Sequence, residues 1–152
     1  MKPHPDFADN AIPRTADLGG FRLTPLSPAQ VDEDLDVVCA SEAVLVGLSE
    51  GDWPRELTRE ENLVDLAWHE REFTARRSFA WIVRDTAGVY LGCAYLYPEI
   101  GARGRGTVVT WIRDMPERHA LLPRLNTAFG HWIAGYLPAD YRLAWASNDR
   151  LP

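Results

Sequence analysis

Apolar and polar residues alternate through residues 21–26, FRLTPL, which is the period of a strand with one buried face. The period then changes. Ser27 stands as an N-cap before Pro28, acids follow in the first turn, and an apolar stripe at Val31, Leu35, Val38, Leu45 and Val46 predicts a helix to about Gly47. EGDWPREL reads as a linker. Thr58 and Glu61 make a capping-box pattern that opens a second helix, running to about Arg77, with Leu63, Leu66, Ala67 and Phe73 on its apolar face. Two apolar runs, SFAWIVRD and VYLGCAYLYP, are separated by TAG, the spacing of a tight hairpin. After the loop EIGARGRG comes the strand pattern TVVTWIRD. Apolar residues then recur at 122, 125, 129, 132, 133 and 136, a helix that Pro138 ends, and YRLAWA predicts a last strand.

The predicted order is β-α-α-β-β-β-α-β, an α/β (α+β) chain. Hairpin-joined strands followed by a strand–helix–strand crossover give a mixed sheet with helices packed on its faces. Residues 1–20 lack an apolar run and read as an extended N-terminal arm, and 21–152 as a single domain. The arm offers neither a signal peptide nor a membrane span, so a cytoplasmic protein is expected. A net charge of −6 argues against nucleic-acid or anionic-membrane partners, which select a basic face. Cys39 and Cys93 fall inside apolar periodic segments and read as reduced, buried thiols.

Two carboxylates stand out. Glu42 and Glu70 sit at the centres of the apolar stripes of consecutive helices, where a charge is costly unless it is paired, protonated or facing a cavity. Two readings are open: ion pairing with Arg77, Arg84 or Arg113, or reception of a cationic amine with one acid as general base. The histidines at 4, 69, 119 and 131 have no metal-ligand spacing, so no metal site is expected, and His69 falls on the polar face of its helix. Arg103 and Arg105 read as a solvated loop tip.

The run WIRDMPERHALLPRL, residues 111–125, carries a buried strand straight into a helix. Such junctions hold phosphates on free N–H groups, usually in turns with glycines. Here no glycine lies between Gly106 and Gly130, and Pro123 has no N–H to offer. The element order, together with the wording of LTREENLVDLAWHEREFTARRSFAWIVRDTAGVYLGCAYLYP at residues 57–98, resembles the GNAT acetyltransferases. The resemblance implies acyl transfer from acetyl-CoA, or another acyl-CoA, to a small-molecule amine. It places Glu42 and Glu70 beside the acceptor cleft as catalytic candidates. It implies cofactor-binding positions at Trp111, Ile112 and Arg113 on the strand, Arg118 at the first position of an Arg/Gln-x-x-Gly-x-Gly/Ala turn, and Asn148 near the pantetheine arm. The glycine positions of that turn fall on Leu121 and Pro123, so the pyrophosphate fingerprint is absent. The family's tyrosine-bearing helix and last two strands have no counterpart after Asn148. The alternative is a catalytically silent module that holds a small cationic ligand or a protein partner. Tyr141, Leu143 and Trp145 on one face of the last strand predict an exposed edge, and with it a two-fold dimer.

Overall fold

The protein, as a computed structural model, is described over residues 1–149. One sheet carries it, with six strands in chain order: β1 (Ala16–Asp17), β2 (Arg22–Pro25), β3 (Phe79–Arg84), β4 (Tyr90–Pro98), β5 (Arg105–Ile112) and β6 (Arg142–Ser147). Helices α1 (Val31–Ala40), α2 (Glu42–Leu45) and α3 (Arg59–Thr74) lie between β2 and β3, and α4 (Arg118–Ala134) joins β5 to β6. All neighbours are antiparallel except β5 and β6, which the α4 crossover makes parallel. This is the mixed sheet flanked by helices that the pattern predicts, with a short β1 added and the first helix broken at Ser41. Both expected caps form: Gln30 folds back on Ser27, and Thr58 and Glu61 exchange bonds.

Strand alternation sorts the side chains into two cores. Phe79, Trp81, Val83, Leu96, Val108 and Ile112 meet Leu122, Leu125, Phe129 and Ile133 of α4 on one face. Ala80, Ile82, Tyr90, Cys93 and Trp111 meet Val31, Val38, Leu45 and Leu66 on the other. One irregularity matters for the site. Val83 pairs with Gly92 but Arg84 pairs with Tyr90, so Leu91 is an extra residue in β4, a bulge. It puts Tyr90 and Cys93, three residues apart, on the same face as Tyr95.

Three expectations are corrected. The N-terminal segment is not a loose arm: Phe7 and Ile12 are buried, and β1 pairs with β2. It is pinned by Asp6, whose carboxylate accepts from the Gly104 N–H (2.7 Å) and Arg103 Nε (3.1 Å). That contact also ties down the tip expected to be solvated, and Arg105 pairs with Glu99 at 2.7 Å. Cys39 is exposed, while Cys93 is buried as expected. Among the described residues no helix is long and apolar enough to cross a membrane. β6 forms one edge of the sheet, where Trp145 packs on Phe129 yet stays 43% exposed.

Candidate active site

The pattern places Glu42 and Glu70 inside; the structure turns both outward. Helix α3 instead buries Asn62, Leu66, His69, Glu72 and Phe73. Its inner stripe is rotated because three polar residues find partners there. Asn62 donates to Asp34 (2.8 Å), His69 lies against Asp65 (3.5 Å), and Glu72 pairs with Arg77 (3.1 Å). Val64 and Trp68 are exposed in exchange. His69, expected on the polar face, is therefore a buried residue. Glu42 is misplaced for another reason: the break at Ser41 stops the helical phase of α1 from carrying into α2. Ser41 is itself buried, and its Oγ accepts the Asp114 N–H at 3.0 Å. Besides Asp6, the acids that do lie inside are Asp34 and Glu72. Glu72 has its arginine; Asp34 has no Lys or Arg partner among the described residues.

Asp34 heads a buried chain of polar groups. Its Oδ2 accepts from Asn62 Nδ2 and its Oδ1 accepts from the Tyr90 hydroxyl at 2.5 Å. The Tyr90 oxygen lies 3.0 Å from Cys93 Sγ. On the same face, the Tyr95 oxygen accepts from Trp111 Nε1 at 3.3 Å. Burial raises the Asp34 carboxyl above its ordinary range, against the lowering effect of the Tyr90 and Asn62 bonds. Between the ordinary and the raised value the folded chain holds a proton that the unfolded chain has lost. Asp34 therefore favours folding increasingly as pH falls below its folded value, and its charge opposes folding at neutral pH. Burial also pushes the Cys93 thiol and the Tyr90 and Tyr95 phenols upward, which makes Cys93 an inert thiol.

Beside it, a cavity of about 800 Å³ opens on the α1/α3 face. Trp53, Tyr95, Tyr97 and Trp111 supply aromatic walls, with Tyr95 and Tyr97 stacked 5.7 Å apart. Asp65, His69 and Glu50 line it as well, and among the described residues no Lys or Arg does. Aromatic faces and acids together favour a cation. The alternation Cys93, Tyr95, Tyr97 was the available sequence signal for this wall. Trp53, in a segment that reads as a linker, gave none.

A second cavity, about 660 Å³, lies at the β6 edge against α4 and is lined by Asn126, Thr127, Trp145 and Ser147. Both cavities reach Gly47 and Leu48 just after α2. Between them, the residues implied as cofactor contacts are engaged with the chain itself. The fully buried Asn148 side chain accepts the Ile112 N–H (3.1 Å) and donates to the carbonyls of Ile112 (2.8 Å) and Val44 (3.2 Å). Arg118 is buried and donates to the Asn148 carbonyl, and the Arg113 guanidinium donates to the Tyr90 carbonyl. Trp111 lines the aromatic cavity. Five of the junction amides are also committed: Arg113 to Leu91, Asp114 to Ser41, Arg118 to Met115, and Ala120 and Leu121 to Glu117. Leu122 is in the core and Pro123 stands within α4.

Solved structures with this arrangement are GNAT acetyltransferases. RimL, a ribosomal L7/L12 α-N-protein acetyltransferase in complex with coenzyme A, superposes with a TM-score of 0.70 at 13% identity, over 86% of this chain and 73% of that one. The Salmonella typhimurium acetyltransferase that modifies the N-terminal serine of L7/L12 gives 0.68 at 9% identity, over 86% and 73%. The microcin C7 self-immunity acetyltransferase MccE, in complex with acetyl-CoA and AMP, gives 0.61 at 8%, over 84% and 72%. The chain has the GNAT acetyltransferase fold. Neither the protein-family models nor the curated proteins compared with it match.

Proposed function

We propose that the protein is a divergent GNAT-family N-acyltransferase that takes a small amine in the aromatic cavity and its acyl group from acyl-CoA. The observation that carries this reading is the cavity itself: four aromatic side chains, Asp65 and Glu50, and, among the described residues, no Lys or Arg along its lining. Asp65 and Glu50 draw an ammonium in, and the rings replace part of its hydration. The neighbours named above act on a ribosomal protein or bind acetyl-CoA, which supports the transfer chemistry by fold analogy.

Acyl-CoA supplies the activated acyl group. The β5–α4 junction does not fit its pyrophosphate, because Leu121 and Pro123 replace the glycines and the amides of Arg113, Asp114, Arg118, Ala120 and Leu121 are spent on the chain's own carbonyls and Ser41. The donor is therefore expected to bind weakly, with a Kd poorer than about 0.1–1 mM, at the weak end of substrate constants. Calorimetry with acetyl-CoA measures this, and mass spectrometry at several millimolar donor detects the N-acetylated amine. Absence of product from a panel of primary amines overturns the acyltransferase reading. It leaves the second one, a GNAT-fold module that holds a cationic ligand or a protein partner. The committed junction amides are what favours that second reading. Association of two copies across the exposed β6 edge belongs to either.

A further inference from the structure

The ionisable side chains that line the aromatic cavity are Glu50, Asp65, His69, Tyr95 and Tyr97. Burial pushes both phenols upward, so neither supplies the phenolate that a base would need. A carboxylate ordinarily holds a proton on the order of a hundredfold less strongly than imidazole does. His69 is the group left. It is 7% exposed, and its ring touches those of Trp68, at 5.0 Å between centroids, and Tyr95, at 5.3 Å. Its Nε2 faces the Asp65 carboxylate at 3.5 Å, which assigns the ring hydrogen of the neutral imidazole to Nε2 and the lone pair to Nδ1. Among the described residues Nδ1 has no hydrogen-bond partner, and the only side-chain atom there that is both unpaired and sealed from solvent is the Ser78 hydroxyl. Nδ1 is therefore an open acceptor on a ring that lines the cavity.

We propose that His69, oriented by Asp65, is the base that takes one proton from an ammonium bound in the aromatic cavity. This rests on reading the cavity as an amine site. One N–H bond of the ammonium breaks, its electron pair stays on the amine nitrogen, and the proton bonds to His69 Nδ1. One cation replaces another beside the same carboxylate, so charge is conserved and no oxidant or co-reactant is needed. The amine left behind is neutral, which is its nucleophilic form. In water an alkylamine holds its proton about four powers of ten more strongly than imidazole. The transfer is thus a transient step, and Asp65 eases it by facing the imidazolium that forms. His69 is the catalytic residue; Asp65 is a positioning residue that acts through it.

Nitrogen-15 NMR of the full chain with labelled histidine rings tests the assignment, with His69→Gln identifying the His69 signals. On titration with ethylamine, the His69 Nδ1 resonance is expected to shift saturably, in step with the Trp111 indole signal. Without amine, wild type is expected to show the single Nε2–H tautomer at His69, and Asp65→Ala to mix the two tautomers. With acetyl-CoA at several millimolar, His69→Gln, whose amide cannot take up a proton, is expected to lower kcat by roughly 100-fold at unchanged amine KM, the lower range for positioned proton transfer. A Trp111 signal that responds while His69 stays silent overturns the base and leaves the amine site standing. If neither responds, the amine site falls and the base with it. A wild-type kcat in His69→Gln also overturns the base, and an unmixed tautomer in Asp65→Ala overturns the part given to Asp65. A His69 shift without any acetylation upholds His69 as the group that meets the amine and rejects acyl transfer.

Discussion

Gly92→Ala is expected to cost more than about 4 kcal/mol, enough to leave a protein of ordinary stability largely unfolded at room temperature. A Cβ at Gly92 would lie 1.8 Å from the Trp111 carbonyl oxygen, 2.8 Å from its carbonyl carbon and 3.0 Å from Ile112 Cα. These are backbone atoms of the strand paired with it, since Gly92 stands opposite Ile112. No rotamer change relieves the clash, and β4 and β5 would have to part in the middle of the sheet. The bulge at Leu91, next to Gly92, aligns Tyr90 with Cys93. The natural control is Gly20→Ala, whose Cβ would meet only the flexible end of Arg124 at 3.5 Å and is expected to change stability by less than about 1 kcal/mol. Urea denaturation of both variants measures the difference. A Gly92→Ala protein with the wild-type midpoint would show that the bulge is not packed as described.

Asn148→Ala is expected to cost about 3–5 kcal/mol, because it removes three buried hydrogen bonds and strands both backbone groups of Ile112. β6 ends at Ser147 paired with Thr110, and the Asn148 carboxamide takes over the next step of pairing as a side chain. It also fastens α2 to the sheet through Val44. Thermal unfolding of the variant separates this role from ligand binding. If Asn148 served mainly a bound cofactor, the protein without ligand would lose almost nothing.

Much of the fold was legible because it depends on neighbours in sequence. The TAG spacing fixed the β3–β4 hairpin, Thr58 and Glu61 fixed the start of α3, and the apolar positions from Leu122 fixed the buried stripe of α4. The site was harder, since its residues break the rule that polar side chains face water. Asn62, His69 and Glu72 lie inside only because Asp34, Asp65 and Arg77 wait for them, and two of those partners belong to other elements or turns. Reading His69 as solvent-facing rotated α3 and put Glu70 inside. Asp6 meets Gly104 across a separation of 98 residues, which no local pattern encodes. The missing glycines of the β5–α4 turn were plain in the sequence. The Asn148, Ser41 and Leu91 bonds that occupy the junction instead were not.

The central claim is that the working cavity lies on the α1/α3 face and receives an ammonium. The indole N–H resonances of the six tryptophans report on both faces of the sheet at once. In a titration with a primary alkylamine, the Trp53 and Trp111 signals are expected to shift together and saturably, since both line that cavity. Trp81 and Trp132, which pack in contact in the α4 core, are expected to stay where they are. A shift confined to Trp145 at the β6 edge, or no saturable shift at all, would contradict the assignment of the site.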